Sequence, residues 1–330
     1  MAYKLPYFCR QTTPYADKDY DKETIASEFV RPVAGMIMVN TRKLEQLLKR
    51  SGPARPSGKG QPDTAPLRRG LALSGGPALR NDVTTQTNEP QIVPWNDAAW
   101  DDLAPVTPDT GVDKATRAFN QHARDPAVTT LFDVLRTQLV QTFRKRGHRC
   151  LGIAAPHSDT GASFVTAGLL ASFARRTELH VVGLDVNFTD PGLHRYFEAA
   201  PDGPILPAIR GEIPIESHLR RANAALALGF NKPATGPDQQ NATFPAEDFT
   251  DFMHDILGFI APDFIVCDMP PLLEGDTAMN LLAGIDAVLV VSDSHKTTAD
   301  DIAACERVLH DQAEFLGVVM NRAAPASGGR

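Results

Sequence analysis

Five segments of the chain are apolar almost throughout: CLGIAAP (150–156), ELHVVGLDV (178–186), DFIVCDM (263–269), DAVLVVSD (286–293) and EFLGVVM (314–320). Each has the length of a strand and lacks a polar face, the pattern of strands covered on both sides. Helical spacing appears between them. LFDVLRTQLVQTF (131–143) precedes the first strand, a helix follows the turn HSDTG and runs through Phe173, and another lies around 247–260. A loop-rich segment follows the second strand. This alternation predicts an α/β fold, a doubly wound and mostly parallel sheet. Ligands in such sheets bind outside the carboxyl ends of the strands. Three of those ends carry polar residues: the loop after Ala155, Asp185 with Asn187, and Asp268.

The front third follows another pattern. Residues 51–110 hold nine Pro and six Gly, a density at which a disordered linker is expected. Charge is blocked there too: residues 41–80 carry nine Lys/Arg against two acids, and 81–113 carry seven acids and no base. The expected organisation is a tail over 1–50, a linker over 51–114, the folded domain over 115–323 and a disordered tail over 324–330. Within the tail, TRKLEQLLKR (41–50) sets Leu44, Leu47 and Leu48 at helical spacing, about three turns, too short to stand alone in water.

Composition then narrows the function classes. The 330 residues carry a net charge of −7, which argues against a protein that coats nucleic acid. No apolar run reaches the roughly 18 residues of a membrane span, and the start MAYKLPYFCR has no apolar secretory core. Cys9, Cys150, Cys267 and Cys305 are too scattered for a zinc site or a disulfide framework. His157 and His194 have no partners at ligand spacing. The expectation is a soluble, cytoplasmic protein.

A phosphate-binding loop of the form GxxxxGK[ST] belongs between a strand and a helix, where backbone N–H groups cradle phosphate, Lys reaches the terminal phosphates and Ser/Thr holds Mg²⁺. The stretch Ala155–Ser163 reads APHSDTGAS. Gly161 and Ser163 fit, whereas Ala162 stands in the lysine position.

The order of the segments adds to this loop. LFDVLRTQL (131–139), AAPHSDTGASFVTAGLLASFA (154–174), VVGLDVNFTDPGLHRYF (181–197), DFIVCDMPPLL (263–273), DAVLVVSDSHKTTADDI (286–302) and FLGVVMNR (315–322) together resemble the cytoplasmic P-loop domain of bacterial tyrosine kinases (BY-kinases) of capsule and exopolysaccharide biosynthesis. The resemblance covers about residues 115–323. It implies a P-loop NTPase sheet of the Min/Par-like type and an ATP or ADP site with Mg²⁺. The loop residues Asp159, Thr160, Gly161, Ala162 and Ser163 would face the nucleotide, with Asn321 where related ATPases contact adenine. Asp185 and Asp268 match the catalytic aspartates and, with Ser163, the Mg²⁺ ligands. The family's ExxRxxR assembly motif falls on Thr130, Asp133 and Arg136, so only the last arginine is kept.

The departures fall on one reaction centre. Ala162 removes a charge-assisted contact worth about 1.5–3 kcal/mol, together with charge stabilisation in phosphoryl transfer. Asp159 replaces an expected glycine and puts negative charge beside the phosphates. Asn187 replaces the second aspartate and cannot act as a base. The reading is a catalytically impaired member in which nucleotide binding is weak or absent. An active autokinase or ATPase that has replaced the lysine, and a Min/Par-type positioning or secretion adaptor, are the alternatives.

Other features bear on partners. Tyr3, Tyr7, Tyr15 and Tyr20 crowd the first 20 residues and are candidate phospho-acceptors, or simply docking aromatics. Trp95 and Trp100 lie in the acidic block, where they are expected to anchor on the chain's own domain or on a partner. The basic residues 41–80 suit an anionic membrane surface or a solvated linker, and no nucleic-acid partner is expected. By resemblance, the partner is the cytoplasmic end of a membrane polysaccharide co-polymerase, with homo-oligomerisation in addition, and the protein sits at the inner face of the membrane through that partner.

Overall fold

The computed structural model describes residues 37–39, 96–109, 125–188, 190–232 and 244–323. The four front tyrosines, Trp95, the helix expected at 41–50, the basic block 41–80 and the tail 324–330 lie outside the described residues.

The sheet has eight strands: β1 (Ile37–Val39), β2 (Cys150–Ala154), β3 (Val181–Asp185), β4 (Leu219–Arg221), β5 (Leu226–Gly229), β6 (Phe264–Asp268), β7 (Ala287–Asp293) and β8 (Glu314–Asn321), in the spatial order β1-β8-β7-β2-β6-β3-β5-β4. The six inner strands are parallel, and β1 and β4 close the edges antiparallel. All five predicted strands are present. β2, β3, β6 and β7 are buried along their full length, as their uninterrupted apolar runs require. The expected loop-rich segment after β3 is corrected in part, because it also contains short helices and the β4–β5 hairpin.

Eight α-helices are described: α1 (Asp97–Asp102), α2 (Pro126–Arg146), α3 (Ala162–Phe173), α4 (Leu193–Tyr196), α5 (Leu206–Ile209), α6 (Ala246–Phe259), α7 (Thr277–Leu282) and α8 (Ala299–Leu309). The ends of α2 follow from its sequence. Asp125 accepts the Ala127 N–H, Pro126 opens the first turn, Arg144–Arg146 suit the negative C-terminal end, and Gly147 closes it at φ 73°. One apolar layer joins α2 and α3 to the sheet through Phe132, Leu135, Phe143, Leu169 and Phe173. Gly168 allows the two helices to approach this closely, since a Cβ there would lie 2.2 Å from the Phe132 ring. The other layer packs α1, α6, α7 and α8 on the opposite face.

The packed unit also takes in chain upstream of residue 115. Trp100 is buried, with its ring centroid 4.5 Å from that of His180. Arg221 at the β4 edge exchanges backbone hydrogen bonds with Ala104 and Val106. Asp101 pairs with the Arg221 guanidinium at 2.6 Å. One of the two tryptophans therefore anchors on its own domain, and apolar burial places it there despite the surrounding acids.

Candidate functional site

The first turn of α3 begins where β2 delivers the loop Ala155–Gly161 to the carboxyl edge of the sheet. Two residues in the loop have left-handed backbone: Gly161, which caps α3 at φ 92°, and Asp159 at φ 61°. Asp159 thus adopts the conformation that a glycine would take without strain. The pocket of about 180 Å³ above the loop is lined by Asp159–Ser163 and also by His157, Asn187, Asp190, Tyr196 and Arg322. The residues matched to nucleotide binding are thus gathered at one site.

Asn321 is brought to the same loop. Its Nδ2 donates to the Thr160 carbonyl at 2.9 Å, and a Cβ on Gly161 would lie 2.2 Å from that nitrogen. His157 bridges Glu274 at 3.4 Å and Asp301 at 3.3 Å. Ser158 is bonded to Glu274 through both its N–H and its hydroxyl. The loop is held from three sides by its own chain.

Below the loop lie the aspartates. Asp185 and Asp268 end adjacent parallel strands and face each other in register, and both are fully buried. Asp185 accepts the N–H groups of Asn187 at 3.2 Å and Leu193 at 3.0 Å. Asp268 accepts the Thr166 hydroxyl at 3.3 Å through Oδ1, and the Ser163 hydroxyl also bonds to it. Its Oδ2 has no partner among the described residues. Burial pushes Asp268 up to about 7, against the opposing effect of the Ser163 and Thr166 hydroxyls. Burial, and then the Asp268 charge, push Asp185 well above the carboxylate range despite its N–H donors. Two adjacent buried carboxylates disfavour joint ionisation unless a cation lies between or beside them.

This orphaned Oδ2 tests the fit of the implied Mg²⁺. Ser163 and Asp268, with Asp185 behind them, offer oxygen donors and an unsatisfied buried lone pair, which suits a hard cation. Bound there, the ion would neutralise phosphate charge. The phosphate side fits less well, because Ala162 begins α3 without a charged group and Asp159 and Asp190 add negative charge. Asn187 caps the turn after β3, accepting the Asp190 N–H at 3.1 Å.

Three participants had no motif to announce them. Tyr196 on α4 lines the loop pocket, and burial, then Asp268, push its phenol up to about 12. Glu274 and Arg322 reach the loop from positions 116 and 163 residues away from their partners in the chain. In the sequence Arg322 was only the last letter of a strand segment.

Arg136, the retained residue of the assembly motif, points into the domain. It donates to Ser172 Oγ at 2.6 Å, to the Ser172 carbonyl at 2.9 Å and to Asp133 at 2.7 Å. Asp133 also accepts from Arg175 at 2.6 Å.

No family model matches the chain. Over 204 residues, 61% of this chain, it is 26% identical to a protein of Ralstonia nicotianae described as the tyrosine-protein kinase EpsB. Over 205 residues it is 27% identical to the EpsB of Ralstonia solanacearum. The chain spans about a quarter of the length of these curated relatives. Among solved structures, the kinase domain of the Escherichia coli tyrosine kinase ETK superposes with TM-score 0.53 at 17% identity, covering 62% of this chain and 79% of that one. The BceF tyrosine kinase domain superposes with TM-score 0.52 at 16% identity, covering 69% of this chain and 96% of its own. In sequence the chain is similar to these two EpsB proteins, and in fold to the two solved tyrosine kinase domains.

Proposed function

We propose that this chain is a BY-kinase-like protein of an exopolysaccharide system in which phosphoryl transfer is impaired. It acts by occupancy and conformation, as partner or regulator of a membrane polysaccharide co-polymerase. The observation that carries this reading is the mismatch within one site. The aspartate pair and Ser163 are kept, while the lysine position holds Ala162 and the second aspartate of the motif is Asn187. Asp268 and Ser163 would hold Mg²⁺, and the loop N–H groups would orient phosphate. No side chain at position 162 would stabilise charge developing during transfer.

Two measurements test this. Purified protein with Mg²⁺ and ATP is expected to show no turnover above that of Asp268→Ala. Turnover that vanishes in Asp268→Ala would instead establish the second reading, a residual ATPase or autokinase, which the unsatisfied Asp268 Oδ2 favours. Clean deletion of the gene is expected to change the amount or chain length of surface polysaccharide. An unchanged polymer would sink the pathway assignment.

A further inference from the structure

Arg322 follows the last residue of β8 and has left-handed backbone at φ 57°. Its Nη1 donates to the Asp159 carbonyl at 2.8 Å and pairs with Asp293 Oδ2 at 2.5 Å. The Asp293 side chain is only 1% exposed, and it also accepts the His295 N–H at 2.8 Å. Ser294 Oγ secures the Arg322 carbonyl at 2.7 Å. A buried carboxylate at the end of β7 thus plants a guanidinium across the phosphate loop.

The side chain remains 48% exposed and lines the loop pocket. Both of its described side-chain contacts run through Nη1, so the fork keeps donors for an incoming anion. The other lining residues carry no permanent positive charge: Ala162 is neutral, Asp159 and Asp190 are acidic, and His157 lies between Glu274 and Asp301. An arginine stays charged at any working pH and can meet phosphate oxygens in pairs.

We infer that Arg322 is the phosphate-binding cation of this pocket, meeting the polyphosphate of a nucleoside di- or triphosphate in place of the lysine absent at position 162. The inference rests on the reading of the loop pocket as a nucleotide site. It also predicts a weak contact. The anion must draw the guanidinium away from Asp293 and from the Asp159 carbonyl, so loop and latch compete with the ligand for one group.

The test is calorimetric titration of the full chain with Mg²⁺ and ADP, and separately with pyrophosphate, with each variant's melting temperature measured without ligand. Arg322→Gln is expected to weaken both ligands at least tenfold, and Ala162→Lys added to it to restore binding. Asp293→Asn frees the guanidinium and is expected to tighten binding several-fold. A purely structural latch predicts the reverse for that variant. Equal affinity of wild type and Arg322→Gln would overturn the inference and leave the nucleotide site standing. So would binding by Ala162→Lys alone with none by wild type. Equal losses in Arg322→Gln and Asp293→Asn, with lowered melting temperatures, would reduce the pair to a brace for the loop. Absence of binding in both wild type and Ala162→Lys would remove the site and the inference together.

Discussion

The floor and the rim of the loop pocket are built differently. The floor is a buried carboxylate pair, Asp185 and Asp268 in register on neighbouring strands, with Ser163 and Thr166 hydroxyls against Asp268. The rim carries Ala162 and Asn187, neither of them charged, and its loop is tied to Glu274, Asp301, Asn321 and Arg322. The floor sits inside the sheet, where a change of side-chain shape disturbs packing and hydrogen bonds together. The rim consists of turns, which tolerate exchange. The two parts of one pocket are therefore under different constraints.

The largest effect is expected from the floor. Because Asp268 is raised from 3.8 to about 7 on folding, the native state binds the extra proton between those values, so its contribution to stability is full below about pH 4 and is lost as pH rises through 7. Asp268→Asn should remove that loss, raising stability at pH 8 by up to several kcal/mol, so that the gap between the two pH–stability curves, measured by chemical denaturation, widens from pH 4 to pH 8. Curves that stay parallel from pH 4 to 8 would show that the floor pays no such penalty. Next comes the joint between floor and rim. Gly161→Ala forces a Cβ to 2.2 Å from Asn321 Nδ2 at φ 92° and should cost about 2–3 kcal/mol. Asn321→Ala in the same chain should recover part of that, and purely additive losses would show that the clash is absent. The smallest effect belongs to the rim alone. Asp159→Gly relieves a left-handed aspartate and should change stability by less than about 1 kcal/mol. A loss well beyond that would mean that the rim is as constrained as the floor.

How much of this was legible follows from range along the chain. Strands β2, β3, β6 and β7 announced themselves because burial along their full length keeps the runs apolar almost to their carboxyl ends, and β8 did so through its apolar centre, although it is only partly buried. The β4–β5 hairpin did not, because Leu219–Arg221 and Leu226–Gly229 are short and β4 ends in two arginines at an edge. The loop and its aspartates were readable from local spacing and from where strands end. Tyr196, Glu274 and Arg322 were not, since they reach the site only when distant carboxyl ends converge. Trp100 was expected to anchor somewhere, and the fold supplied the place, against His180. The partners of Arg136 were not readable in full either, since Asp133 is three residues away in the chain but Ser172 is 36.

The two upstream segments dock at opposite edges of the sheet. β1 joins the β8 edge of the sheet, and the stretch after α1 joins Arg221 at the β4 edge. Eight strands about 4.8 Å apart place those edges roughly 34 Å from each other. An edge strand is where a second chain could add itself to a sheet. With β1 lying along β8 and the stretch Ala104–Val106 lying along Arg221, upstream chain occupies a place at each end of the sheet.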